Sequence, residues 1–118
     1  MKKILALLLA VALIFSVAAC GQKPAEEPKD DFKIGLICLH DENSTYDNNF
    51  IQAMKAAQKE LGLKDEQVLI KVNIGESEAC YNAAEELIEA GCDVIFADSF
   101  GHETYMFQAA KEYPNIQF

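Results

Sequence analysis

Blocks of different hydrophobic period divide this chain. An unbroken apolar run, Ile4 to Phe15, stands behind Lys2 and Lys3 and is followed, after Cys20, by GQKPAEEPKDD at positions 21–31, which has two prolines and no aliphatic side chain larger than alanine. Such a stretch buries too little to offset the entropy of ordering, and predicts a flexible tether. The pattern then changes. Phe32 to Leu39, FKIGLICL, is a nearly continuous apolar run of strand length, the mark of a strand covered on both faces. From Asp47 to Leu61 the residues Phe50, Ile51, Met54, Ala57 and Leu61 recur at helical spacing, with Ser44 as a start signal and Gly62 as a stop. Val68 to Asn73 is a second strand. Ser77 opens a second helix with Cys80, Ala84, Leu87 and Ile88 on its inward stripe, and Gly91 closes it. Asp93 to Ala97 is a third buried strand, followed by a shorter helix from about His102 to Lys111. Tyr113-Pro114-Asn115 makes a turn, and Ile116-Gln117-Phe118 reads as the first residues of a fourth strand, so the chain is expected to be the front part of a longer one. The order βαβαβαβ, with short connections, requires parallel strands and right-handed crossovers: an α/β fold with a doubly wound parallel sheet.

The basic start, the apolar run too short to span a bilayer comfortably, and the small residues before Cys20 form the pattern of an export signal. Val17-Ala18-Ala19-Cys20 resembles the bacterial lipobox. The resemblance implies cleavage after residue 19 and lipid on Cys20, so that residues 1–19 are a signal peptide, 20–31 a tether and 32–118 the folded part. It also implies a protein held on the extracytoplasmic face of the cell membrane without spanning it.

Charge narrows the partners. The chain carries 10 Lys plus Arg and 19 Asp plus Glu, a net charge of −9. The signal segment contains two of the cations and none of the acids, so its loss leaves eight against nineteen, about −11. Nucleic acid is thereby excluded as a natural partner. Every cation is a lysine, and without a guanidinium fork the chain cannot clamp a carboxylate or phosphate bidentately. Ligand groups that donate hydrogen bonds suit it better. Cys38, Cys80 and Cys92 fit neither a zinc spacing nor a CxxC pair; they are expected as small buried hydrophobes, with a Cys80–Cys92 disulfide the alternative. No metal ligand set, cofactor motif or hydrolase signature is present in the sequence, and no catalytic residue is assigned.

In open parallel sheets ligands sit beyond the carboxyl ends of the strands. The loops there are HDENSTYDNNF after strand one and ADSFGHETY after strand three, both rich in hydrogen-bonding and aromatic side chains and free of lysine; the loop after strand two, Asn73 to Ser77, is short and plain. His40, Asp41, Glu42, Asn43, Tyr46 and Asp47 form the densest polar cluster. A carboxylate beside an aromatic ring suits a polyol or nucleoside, the acid accepting from hydroxyl or ring N–H and the ring stacking on a sugar face or base. The competing assignment makes Ser44 and Asp47 helix caps and Phe50 core. Ser99 and Phe100 are the candidates on the second loop, with core packing of Phe100 as the alternative. Asp41 and Asp98 at the ends of strands one and three also match the acidic pocket of a receiver domain, but export removes the kinase such a domain needs.

The lipobox, acidic tether, FKIGLICL strand, Asp47-Asn48-Asn49-Phe50 helix opening and GCDVIFADSFG strand and loop together resemble the start of a basic membrane protein family lipoprotein, the substrate-binding component of ABC transporters related to purine nucleoside receptors. Asn49 stands where the family motif has serine and Ile51 where it has asparagine. The resemblance implies the amino-terminal part of the first lobe of a type I periplasmic-binding-protein fold, a nucleoside or similar small ligand, ABC permease partners and no enzymatic activity. It places His40, Asp41, Tyr46, Asp47, Phe50, Ser99 and Phe100 at the cleft, Phe50 or Tyr46 stacking on a base. Because the family closes two lobes on its ligand, this chain alone is expected to bind weakly. A sugar receptor, a sensor ectodomain and an exported hydrolase using Asp41 or Asp98 are the other readings.

Overall fold

The computed structural model of the protein describes residues 30–118; the expected signal peptide, the expected lipidation at Cys20 and nearly all of the expected tether lie outside the described residues. Strands β1 (Ile34–Ile37), β2 (Val68–Lys71) and β3 (Val94–Ala97) form a parallel sheet in the order β2-β1-β3, with Ile34 level with both Val68 and Val94. Helices α1 (Thr45–Leu61), α2 (Glu78–Glu89) and α3 (Glu103–Glu112) make the crossovers. Gln117 pairs in parallel with Val94 on the outer side of β3, where a fourth strand is expected. Among the described residues no helix is long and apolar enough to cross a membrane.

The continuous apolar run of β1 is explained by its position. All four of its residues are buried, and alternate ones serve opposite faces of the sheet. Ile34, Leu36 and Cys38 pack with Ile51, Met54 and Leu63 of the α1 side; Ile37 packs with Ala84, Leu87, Ile95, Met106 and Ala109 of the α2 and α3 side. Gly35 faces the second cluster, where a Cβ would lie 2.8 Å from Leu87 Cδ1, so close helix–strand packing favours glycine there and a larger residue would displace Leu87. The helix punctuation matches the sequence. Ser44 and Ser77 cap α1 and α2, accepting from the amides of Asp47 and Ala79, while Gly62 (φ 67°) and Gly91 (φ 89°) take left-handed conformations after them. Lys33 Nζ donates to Ala90 O at 2.7 Å, adding a cation at the negative end of α2.

Two positions on the expected α1 stripe depart from it. Phe50 is 39% and Leu61 44% exposed, while Leu63, after the Gly62 turn, is buried in the cluster with Ile51 and Met54. A single 3₁₀ turn, Phe100–His102, precedes α3, which therefore begins one residue later than expected. The three cysteines Cys38, Cys80 and Cys92 are buried free thiols, so the Cys80–Cys92 disulfide is not formed.

Candidate functional site

Sheet order dictates where a cleft opens. The connection leaving β1 runs to β2 on one side and that reaching β3 passes to the other, so the loops after β1 and β3 separate at the carboxyl edge. A cleft of about 350 Å³ lies between them, lined by Leu39, His40, Ser44, Tyr46, Asp47, Ser99 and Phe100. Five of the seven candidate residues named from the sequence thus share one concavity. Phe50 stands behind it, its ring 5.1 Å from that of Tyr46 and tilted by 53°. The core assignments of Phe50 and Phe100 fail, since the latter ring is 89% exposed.

The polar groups hold the two loops in position. Tyr46 Oη donates to Asp98 O at 2.9 Å, tying the start of α1 to the end of β3 and turning the Tyr46 ring along the cleft wall. Asp47 is 1% exposed. Its Oδ1 accepts from the His40 amide at 2.8 Å, and its Oδ2 from Ser44 Oγ and, at 3.3 Å, His40 Nδ1. Burial pushes its carboxyl upward, but the bonds from Ser44, the His40 amide and the His40 ring outweigh that effect and hold it well below the usual carboxylate range. Asp47 therefore both starts the helix and organises the loop, as its position in the first turn favours. The His40 side chain is 61% exposed at the rim.

Asp41 takes no part in the lining. Its Oδ1 accepts from the Asn43 amide and side chain, both at 3.0 Å, in a local turn, and these bonds lower its pKa. The pairing of Asp41 with Asp98 expected from strand ends is also corrected, because the acid gathered beside Asp98 is Asp47. One ligand-capable atom from each of Cys38, Asp47 and Asp98 falls within 4.8 Å of the others, all three residues being buried. This group contains no histidine, and three donors already occupy the Asp47 oxygens.

The loop after β2 contributes what its plain composition hid. Glu76 Oε1 accepts from Ser99 Oγ and, at 3.1 Å, from the Gly101 amide, so it props the Ser99-Phe100-Gly101 rim from the side. These two bonds draw its pKa down. The signal was a lone glutamate between Gly75 and Ser77 at the carboxyl edge, with the glycine at 101 as its counterpart: a Cβ there would meet Glu76 Cδ at 2.3 Å. Gly101→Ala is accordingly expected to keep the fold but displace Glu76, and amide exchange at Gly101 and His102 should accelerate. Unchanged protection of both amides would refute the prop.

No protein-family model matches the chain, and neither does any curated protein. Among solved structures, an ABC transporter system solute-binding protein from Conexibacter woesei DSM 14684 shares the fold with a TM-score of 0.60 at 15% identity, the alignment covering 72% of this chain and 27% of that one. The chain thus corresponds to about a quarter of that protein's length. The architecture is α/β with a parallel sheet, a part of the solute-binding-protein fold.

Proposed function

We propose that this chain is the front part of the first lobe of a lipid-anchored, extracytoplasmic solute receptor that delivers a small ligand, a purine nucleoside by preference, to an ABC permease. The observation that carries this reading is the cleft at the carboxyl edge, which brings Tyr46, Phe100 and His40 together without a lysine in either loop. Two aromatic rings offer stacking faces for a base, and His40 lies at the same rim to serve N–H or hydroxyl groups, with Asp41 next to it in the chain but outside the lining. The proposed ligand-binding residues are His40, Asp41, Tyr46, Asp47, Phe50, Ser99 and Phe100, with Asp47 acting through the loop it holds. Cys20 is the proposed lipid attachment. Burial of Asp98 away from water, at 6% exposure, weighs against its use as a hydrolytic base.

The test is calorimetry with inosine, adenosine and ribose, on this chain and on the chain continued by its downstream reading frame. Inosine or adenosine should bind the longer protein and only weakly the shorter. Phe100→Ala should weaken nucleoside binding roughly 5- to 150-fold, since stacking on an aromatic ring contributes about 1–3 kcal/mol per base. Equal affinity for ribose would transfer the site to sugars, and no heat with any of the three would refute the nucleoside reading.

A further inference from the structure

We propose that Asp98 is a neutral carboxylic acid donating its proton to ionised Asp47, and that this one proton positions the two rims of the cleft. Asp98 Oδ1 accepts from the Leu39 amide at 3.1 Å, while Oδ2 is buried and has no donor among the described residues. The acid beside it, Asp47, is equally enclosed. An oxygen of each lies within 4.8 Å of the other, and two carboxyl groups so placed with so little water favour the state in which one keeps a proton.

The donors decide which. Asp47 accepts from the His40 amide, the His40 ring and Ser44 Oγ, three bonds that favour its anion. Asp98 has one backbone donor, the Leu39 amide, and beside it only the weakly donating Cys38 thiol; its Oδ2 makes no hydrogen bond among the described residues, and an O–H on that oxygen reaching Asp47 would satisfy it. Burial raises the Asp98 carboxyl, partly offset by the Cys38 thiol and the Leu39 amide, and the charge on Asp47 raises it further. The surrounding elements supply no permanent cation. Cys38 at the end of β1 stays a thiol, pushed up to about 12 by burial and then by Asp98. Tyr46 of α1 donates to the Asp98 carbonyl, Glu76 occupies Ser99 and Gly101 next door, and His102 Nε2 faces Ile74 O at 2.8 Å. The His40 ring faces Asp47, its Nδ1 3.3 Å from Oδ2. The proton therefore joins the first turn of α1 to the end of β3 beside the Tyr46 bond. Its effect on ligand binding rests on the receptor reading, whereas the proton itself is tested without any ligand.

An Asp98 pKa raised above its unfolded value adds stability that is complete below the ordinary carboxylate pKa of about 4 and is lost as pH rises through the raised value. Carbon-detected titration of the full chain labelled with 13Cγ-aspartate is the direct measurement. Asp98 should remain protonated where the other aspartates have ionised, and Asp47 should remain ionised at pH values where they protonate. Asp98→Asn, which keeps the acceptor for Leu39 and supplies an N–H toward Asp47, should melt at or above the wild type at pH 7 and lose the decline on the alkaline side. Asp98→Ala, with neither group, should melt lower. An Asp98 signal titrating near pH 4, or Asp98→Asn falling as far as Asp98→Ala, overturns the proposal. So does a shift of both aspartate signals on adding zinc that EDTA reverses, which would make the cluster a cation site.

Discussion

Replacing Asp47 with alanine is expected to cost roughly 2–4 kcal/mol, because three donors lose a charged acceptor inside the fold. For a domain of this size that is a fall of about 10–25 °C in the unfolding midpoint. The His40 amide at 2.8 Å, the His40 ring and Ser44 all converge on this carboxylate, and the first turn of α1 loses its only acid. The pH dependence identifies the cause. Since the folded carboxyl lies below its ordinary value, it contributes stability present above about pH 4 and lost as pH falls through the lowered value. The wild type should therefore lose stability in acid and the variant should lose less of it. Urea unfolding at pH 7 and pH 3 measures both, and a difference under about 1 kcal/mol at pH 7 would remove Asp47 from its organising role.

The second large effect lies where β1 meets α2. Leu87, fully buried, packs against the bare Cα of Gly35. Leu87→Ala should cost about 2–5 kcal/mol through lost burial and the cavity left behind. Gly35→Ala should cost about 1–3 kcal/mol, because its Cβ would lie 2.8 Å from Leu87 Cδ1 and 3.4 Å from Cys92 Sγ in a close-packed core. Net stability for roughly 90 residues is only about 4–13 kcal/mol, so either change takes a large share. The double variant discriminates packing from general damage: the new methyl enters the space that Leu87 vacates, and the combined loss should fall short of the sum by about 1 kcal/mol or more. Strict additivity would show that the two side chains do not compete for the same volume.

How much of this was legible without coordinates follows from what each signal encodes. The buried run of β1, the serine caps and the glycine stops are local, and each stands where its chemistry predicts. Phe50 was ambiguous because helical spacing places it beside Ile51 and Met54 without stating where the sheet ends. Its contact with Tyr46, four residues earlier on the same helix, is local; that the pair stays outside the core is what the sequence does not state. The two loops were recognisable by composition, yet the partners within them were not. Asp41 and Asp47 are both acids in one loop, and separating a local turn from a buried anchor needs the path of the chain between them. Glu76 reaches the Phe100 loop across 25 residues of sequence, a pairing that no period or spacing records.

The shared position of β1 has one more consequence. Its alternate side chains belong to two separate oily compartments, so neither compartment can dissolve while the other survives intact. Local melting on one side must propagate through this common spine, which makes cooperative, all-at-once opening the easier route. Any molecule that grips the edge where β1 and β3 finish would brace both compartments together.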